Sequence, residues 1–317
     1  MTTTLPFGPF PTPTLDLSAA PHPGRIGIAY SGGGDRIAVH LGIVQAFIEA
    51  GIVPQHIAGA SAGAYASVFH ALDPHSLDYL PLVTRTVQQA LPLLKPSRLR
   101  IIFSLLPSLI AGMILGGSGV NAQSINSNRA VRRLLKRALP VKTFGELRAP
   151  VSVAATDLLT GGTTWFERVD MELVPALLAS SAIPALFPPV KIADQLYVDG
   201  TVTDNLPLFY LASKGCQVIY ACNVGYAGEA TKPPANLFDT LLQSESIGQY
   251  VADLREQEIL ALRYPQIKVI PVRPRVALKS LPSDITSQDV PGIVAAAAAE
   301  TRRILAEAGQ ARAASGA

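Results

Sequence analysis

Charge is scarce in this chain. Of 317 residues only 15% are Asp, Glu, Lys or Arg, 49% are hydrophobic, and the net charge is +3. So slight a positive balance gives no basis for a nucleic-acid partner. Cysteine is rarer still: Cys216 and Cys222 are the whole complement. Two thiols at the ends of one short expected strand make neither a disulfide framework nor a metal site, so both read as buried free thiols and no metal or cofactor is expected. Histidine is absent after His75, the others being His22, His40, His56 and His70. A conventional serine–histidine–acid triad, in which the histidine follows well after the nucleophile and the acid, is therefore not expected. A basic stretch leading into an apolar run is also missing from Met1–Pro23. No secretory signal is read there, so the cytoplasm is expected, and the proline-rich residues 1–24 read as an extended or disordered arm.

What is present is a βα rhythm. The length suits one large α/β domain or two small ones. Arg25–Tyr30 reads as a buried strand running into Gly32-Gly33-Gly34. Val39, Ile43, Ala46, Phe47 and Ala50 then recur at helical spacing up to Gly51. Further strands are expected at His56–Ala58, 151–155, 163–166, 217–222 and 268–272. Helices are expected at 127–139, 171–179, 206–212, 237–262 and 291–308. This alternation predicts an α/β fold in three layers, with a mostly parallel sheet covered on both faces. The main domain is placed at 25–310, with a tail at 311–317.

One segment departs from the rhythm. Ile101 to Asn128 carries no charged side chain, and Ile101–Leu115 is almost wholly apolar, interrupted by Pro107 and Gly112. Lys95, Arg98 and Arg100 precede it, and Arg129, Arg132, Arg133, Lys136 and Arg137 follow. An insertion over about 95–128 is open to three readings: a buried or capping helix, a segment lying in a membrane interface, or a membrane span. The interfacial reading has apolar side chains entering the acyl layer and the flanking cations meeting anionic headgroups, a peripheral membrane contact.

The chemistry centres on Gly59-Ala60-Ser61-Ala62-Gly63, a G-x-S-x-G sequence between a short strand and a helix-favouring run, Ala64–Ala71. Such a turn holds serine on a sharp bend at a helix N-terminus, and its glycines let strand and helix approach. A base for Ser61 has to be found. His70 lies about 13 Å along the helix that the serine begins, and His75 is further still. His40 and His56 stay open on distance alone, though each reads as a packing or surface residue. Among carboxylates, Asp199 in Leu196-Tyr197-Val198-Asp199-Gly200 ends an alternating stretch, with a glycine to turn the chain. Asp157, in Ala155-Thr156-Asp157-Leu158, is the second candidate and lacks that glycine. Consecutive glycines Gly32, Gly33 and Gly34, with Asp35 and Arg36 behind them, can offer backbone N–H groups to an oxyanion, and Arg36 adds positive potential.

Together these motifs resemble the patatin-like phospholipase family, whose pattern is a G-G-G-x-[RK]-G loop, a G-x-S-x-G elbow and a D-G-[GA] motif. They stand here as Gly32-Gly33-Gly34-Asp35-Arg36-Ile37, Gly59-Ala60-Ser61-Ala62-Gly63 and Asp199-Gly200-Thr201. Ala155-Thr156-Asp157-Leu158, Ala179-Ser180-Ser181-Ala182-Ile183-Pro184 and Asp204-Asn205-Leu206-Pro207 are similar to further blocks of that family. The resemblance covers Arg25 to Val224. It implies a patatin-like fold and a lipid acyl hydrolase, of phospholipase A or lysophospholipase type, with a lipid substrate and no cofactor. Ser61 and Asp199 would be its dyad, residues 32–36 its oxyanion loop, and Gly59, Gly63 and Gly200 its motif glycines. Ile37 and Thr201 depart from the pattern. A soluble esterase or thioesterase for shorter acyl groups, and a lipid-binding member without activity, are the alternatives. A dinucleotide fingerprint is not met, because Ile37 stands where G-x-G-x-x-G requires glycine.

Overall fold

In a computed structural model the protein is described at residues 24–94, 127–228, 233–234, 237–276 and 285–314. The apolar run Ile101–Leu115 and nearly all of the expected N-terminal arm lie outside these residues. Five strands, β1 (Ile26–Tyr30), β2 (His56–Ala60), β3 (Val151–Asp157), β7 (Val218–Cys222) and β8 (Lys268–Val272), run parallel in the spatial order β3-β2-β1-β7-β8. The remaining described strands, β4 (Thr163–Phe166), β5 (Val190–Ile192) and β6 (Gln195–Asp199), form an antiparallel extension from β3. The mostly parallel sheet read from the βα rhythm is thus what the chain forms; β4 falls on the strand expected at 163–166, whereas β5 and the antiparallel pairing are what that rhythm did not show.

The strands sort their side chains by period two. Ile28 and Tyr30 of β1, Ile57 of β2, and Tyr220 and Cys222 of β7 face one apolar cluster. Ala29, Ala58, Ile219 and Ala221 face the other. The first face is covered by α1 (Ile37–Glu49), α2 (Ala62–Leu72), α3 (Leu80–Leu94), α4 (Arg129–Ala138), α5 (Leu173–Ser180) and α8 (Val290–Ala314). The second is covered by α6 (Leu208–Ser213) and by α7 (Leu237–Arg263) through Leu260. Three layers follow because each strand is apolar on both sides and each face must be removed from water. Both cysteines are buried and free.

Helix α3 was not anticipated. Its buried Val83, Val87 and Leu91 recur every fourth residue, but Pro81 and Pro92 disguise the pattern. The first lies in the opening turn, where no N–H is needed, and the second in the closing turn. Among the described residues, no helix is long and apolar enough to cross a membrane.

The extension positions the site. Ala154 of β3 pairs with Ala60 of β2 and with Trp165 of β4, one on each edge. One residue on, Ala155 pairs with Thr164 of β4 and with Asp199 of β6. A strand has two edges, so β6 must take over the edge that β2 vacates when the chain turns at Ser61. Consecutive residues of β3 therefore hold Ala60 and Asp199, and Ser61 leaves the sheet beside the carboxylate.

Candidate active site

Ser61 is the N-cap of α2, with φ 53° and ψ −120°, a backbone region that L-residues seldom occupy. The strain is held by close approach on either side. A Cβ on Gly63 would lie 2.1 Å from the Tyr30 carbonyl oxygen, and one on Gly59 would lie 2.3 Å from the Gly63 carbonyl oxygen. Neither neighbour is a side chain that could swing away. Ser61 N–H donates to Ser180 Oγ at 2.9 Å, fixing the bend from α5.

The Ser61 hydroxyl donates to Asp199 Oδ2 at 2.7 Å. Asp199 Oδ1 accepts from Thr201 N–H at 2.9 Å and from the Thr201 hydroxyl at 2.8 Å. Its own N–H donates to the Ala182 carbonyl, and its carbonyl accepts from the Thr156 hydroxyl. The carboxylate is 1% exposed. Burial pushes it up to about 6, against the hydrogen bonds from Thr201 and Ser61 that pull it down. A carboxyl poised there can hold and release a proton near neutrality. A Cβ on Gly200 would lie 2.3 Å from the Ala154 carbonyl oxygen, so the turn after Asp199 has to be glycine.

The glycine loop lies against both halves. Gly32 N–H donates to Asn205 Oδ1 at 3.1 Å, and a Cβ there would lie 2.3 Å from Thr201 Cγ2. Gly32 thus has its donor engaged and serves to seat the loop on the Asp199 turn. Gly33 and Gly34, the latter at φ 57°, donate no N–H hydrogen bond among the described residues. Asp35 sits in the short 3-10 turn Gly34–Arg36. Arg36 Nη1 donates to the Val224 and Gly225 carbonyls at 2.8 and 2.9 Å, so the guanidinium ties the loop to the segment after β7. Ile37 is buried with ordinary helical dihedrals, φ −50° and ψ −31°, so α1 starts there without glycine.

The competing bases are engaged elsewhere. His40 Nε2 meets the Ser31 carbonyl at 2.8 Å, His70 Nδ1 the Tyr30 hydroxyl at 3.0 Å, and His56 Nε2 the Ser152 hydroxyl at 2.8 Å. His56 is also at the far end of β2 from Ser61, about 16 Å away along the strand. Burial lowers His40 and His56 to about 4 and His70 to about 3. Asp157 Oδ1 accepts from the N–H groups of Leu159 and Thr160, which makes it a turn-forming residue.

Three contributors escaped the sequence reading. Ser180 and Asn205 each lay inside a quoted motif, without a role. The third is Glu245 on α7, which lines a cavity of about 440 Å³ together with Pro184, Thr201, Thr203 and Asn205. That cavity adjoins Asp199 through Thr201. A larger groove of about 550 Å³ between α3 and α4, lined by Arg85, Arg133 and Arg137, includes none of these groups. Among the described residues, no group of His, Cys, Asp and Glu is arranged to hold a metal ion.

The chain matches the family model described as patatin-like phospholipase over residues 28–212. It is similar to an uncharacterized NTE family protein of Mycobacterium tuberculosis, with 31% identity over 218 residues, covering 67% of this chain and 53% of that protein. It is also similar to lysophospholipase NTE1 of Saccharomyces cerevisiae, with 27% identity over 218 residues, covering 65% of this chain and 11% of the yeast protein. The chain thus spans about half the length of the mycobacterial relative and about a tenth of the yeast one. Among solved structures, VipD from Legionella pneumophila aligns at 17% identity with a TM-score of 0.43, over 90% of this chain and 67% of that one.

Proposed function

As the chain belongs to the patatin-like phospholipase family, we propose that it is a lipid acyl hydrolase, cleaving carboxylic esters of phospholipids or lysophospholipids through a Ser61–Asp199 dyad. The observation that carries this reading is the 2.7 Å contact of Ser61 Oγ with Asp199 Oδ2 at a strained strand-to-helix turn. Asp199 takes the Ser61 proton as the oxygen attacks the ester carbonyl carbon. The carbonyl oxygen becomes an oxyanion facing the Gly33 and Gly34 N–H groups and the N-terminus of α2. When the tetrahedral intermediate collapses, the C–O bond to the alcohol breaks and Asp199 returns the proton to that alcohol. Water then adds to the acyl-enzyme, giving its proton to Asp199. Collapse of the second intermediate frees the fatty acid, and Ser61 takes the proton back. Each half-reaction starts and ends with the same protonation state, so one carboxylate suffices as acid and base.

The similarity to a yeast lysophospholipase supports the substrate class. The test is lipid product analysis with defined phospholipids, lysophospholipids and neutral glycerides, using Ser61→Ala as blank. Fatty-acid release should fall about a thousandfold or more in the variant, as expected for loss of a nucleophile. Equal release by both proteins would overturn the assignment. A profile confined to short acyl esters would move the function to a soluble esterase.

A further inference from the structure

Among the described residues, the cavity beside the proposed dyad has one charged side chain in its lining. Glu245 projects into it from α7, and the other lining groups come from Pro184, from Thr201, Val202, Thr203 and Asn205 after Asp199, and from α7 itself, all of them neutral. Among the described residues, no Lys, Arg or His lines it. Glu245 Oε1 accepts from Gln249 Nε2 at 3.3 Å, a neutral partner one turn along the same helix. The titratable group that acts on Glu245 from another element is Asp199, and its sign is the same. Burial first, and then the Asp199 charge, push Glu245 up to about 7. A carboxylate in that position suits a polar ligand end better than a hydrocarbon tail, because an acyl chain packed over it would strip its solvation without replacing it. The cavity is therefore suited to the alcohol portion of an ester whose carbonyl lies at Ser61.

We propose that Glu245 is a specificity residue, selecting esters whose alcohol portion carries a positive charge over those whose alcohol portion is anionic. The inference rests on the hydrolase reading above, since it uses the same dyad to orient the substrate. Ionised Glu245 attracts a quaternary ammonium or protonated amine, the cationic end that a zwitterionic headgroup also carries, through a short, poorly screened distance, and disfavours an alcohol portion whose net charge is negative. The selection is also pH-dependent. Below about 7 the side chain is largely protonated and discriminates little, and above it the charge and the preference both develop.

The experiment uses three esters with one acyl group and alcohols of similar size: decanoylcholine, the decanoyl monoester of ethylene glycol, and decanoyl glycolate. The ratio of kcat/KM for the cationic over the anionic ester is measured at pH 6 and pH 8 with the full chain and with Glu245→Gln. The wild-type ratio should be roughly tenfold or more at pH 8 and smaller at pH 6. It should collapse toward the pH 6 value in Glu245→Gln and invert in Glu245→Lys, mainly through KM. A ratio at pH 8 that is the same in wild type and Glu245→Gln would overturn the proposal. If none of the esters is turned over, the hydrolase reading is judged separately, by the phospholipid and lysophospholipid product analysis above. The cavity is then tested by equilibrium binding of decyltrimethylammonium and decanesulfonate to Ser61→Ala with and without Glu245→Gln. A cation preference lost with the glutamate supports the selection, and identical binding by the two proteins overturns it.

Discussion

Ser61 and Asp199, the two members of the proposed dyad, touch, but the protein holds them by different means. Ser61 is held by backbone. Its dihedrals are strained, and glycines on both sides let carbonyl oxygens come within reach of where a Cβ would be. Asp199 has unremarkable dihedrals, φ −48° and ψ 133°, and is held by side-chain and main-chain hydrogen bonds in a buried pocket. A nucleophile set by backbone strain is fixed in place and intolerant of change. A carboxylate set by donors and burial is adjustable, because each donor moves its proton affinity without moving the chain. In the proposed mechanism the difference separates position from basicity: one side of the site would fix where attack occurs, the other the pH at which it occurs.

Substitutions can break that contrast at either side. The largest effect is expected from Gly63→Ala, where a Cβ would meet the Tyr30 carbonyl oxygen of the central strand. Denaturant unfolding should show a loss of about 3 kcal/mol or more, or no soluble folded protein, with activity gone. Wild-type stability and turnover in this variant would show that the elbow is not backbone-limited. Asp199→Asn should abolish ester hydrolysis with the opposite effect on stability. The folded carboxyl titrates at about 6 against an ordinary value of 3.8. The folded state therefore holds the extra proton between those values, and stability declines as pH rises from about 4 to about 6. Removing the charge should leave the protein as stable at pH 7 or more so, by up to about 2 kcal/mol. Full activity in Asp199→Asn would end the dyad assignment.

The smallest effect sharpens the comparison. The acid limb of the kcat/KM profile should lie near pH 6, where Asp199 becomes available as a base. Thr201→Val keeps the methyl that lies against Gly32 and removes the hydroxyl that donates to Asp199. Loss of one hydrogen bond to the ionised form should move that limb up by about 1 in pH, with stability nearly unchanged. An acid limb that stays in place would mean that Thr201 only packs.

What could be read in the sequence follows the same division. The elbow is a local device, so Gly59 to Gly63 announces it in five residues, and the buried parallel strands announce themselves by continuous apolar runs. The placement of Asp199 is not local. It depends on β6 taking the edge of β3 that β2 leaves, and on β5, whose three residues Val190–Ile192 are too few to show a period. The histidine count pointed away from a triad, and the hydrogen bonds of His40, His56 and His70 show the physical reason: each is buried with a partner away from Ser61. Thr201 looked like a mild departure from the D-G-[GA] pattern, whereas its hydroxyl supplies a donor to Asp199. Glu245 had no signal, because it sits in a long helix dozens of residues from any motif and reaches the cavity only through the packing of α7.

Helix α8 carries a consequence for how the molecule is made. A Cβ on Gly42 of α1 would lie 2.5 Å from both the Ala297 Cβ and the Val294 carbonyl oxygen of α8, so the two helices are in backbone contact. Helix α1 begins directly after the glycine loop, yet the surface that covers it is about 250 residues further along the chain. During synthesis the first βα unit must wait, with an apolar flank open, until those roughly 250 further residues have left the ribosome. Contacts of such long sequence separation form late and slowly. The glycine loop that leads into α1 is therefore expected to be among the last parts of the nascent chain to become rigid.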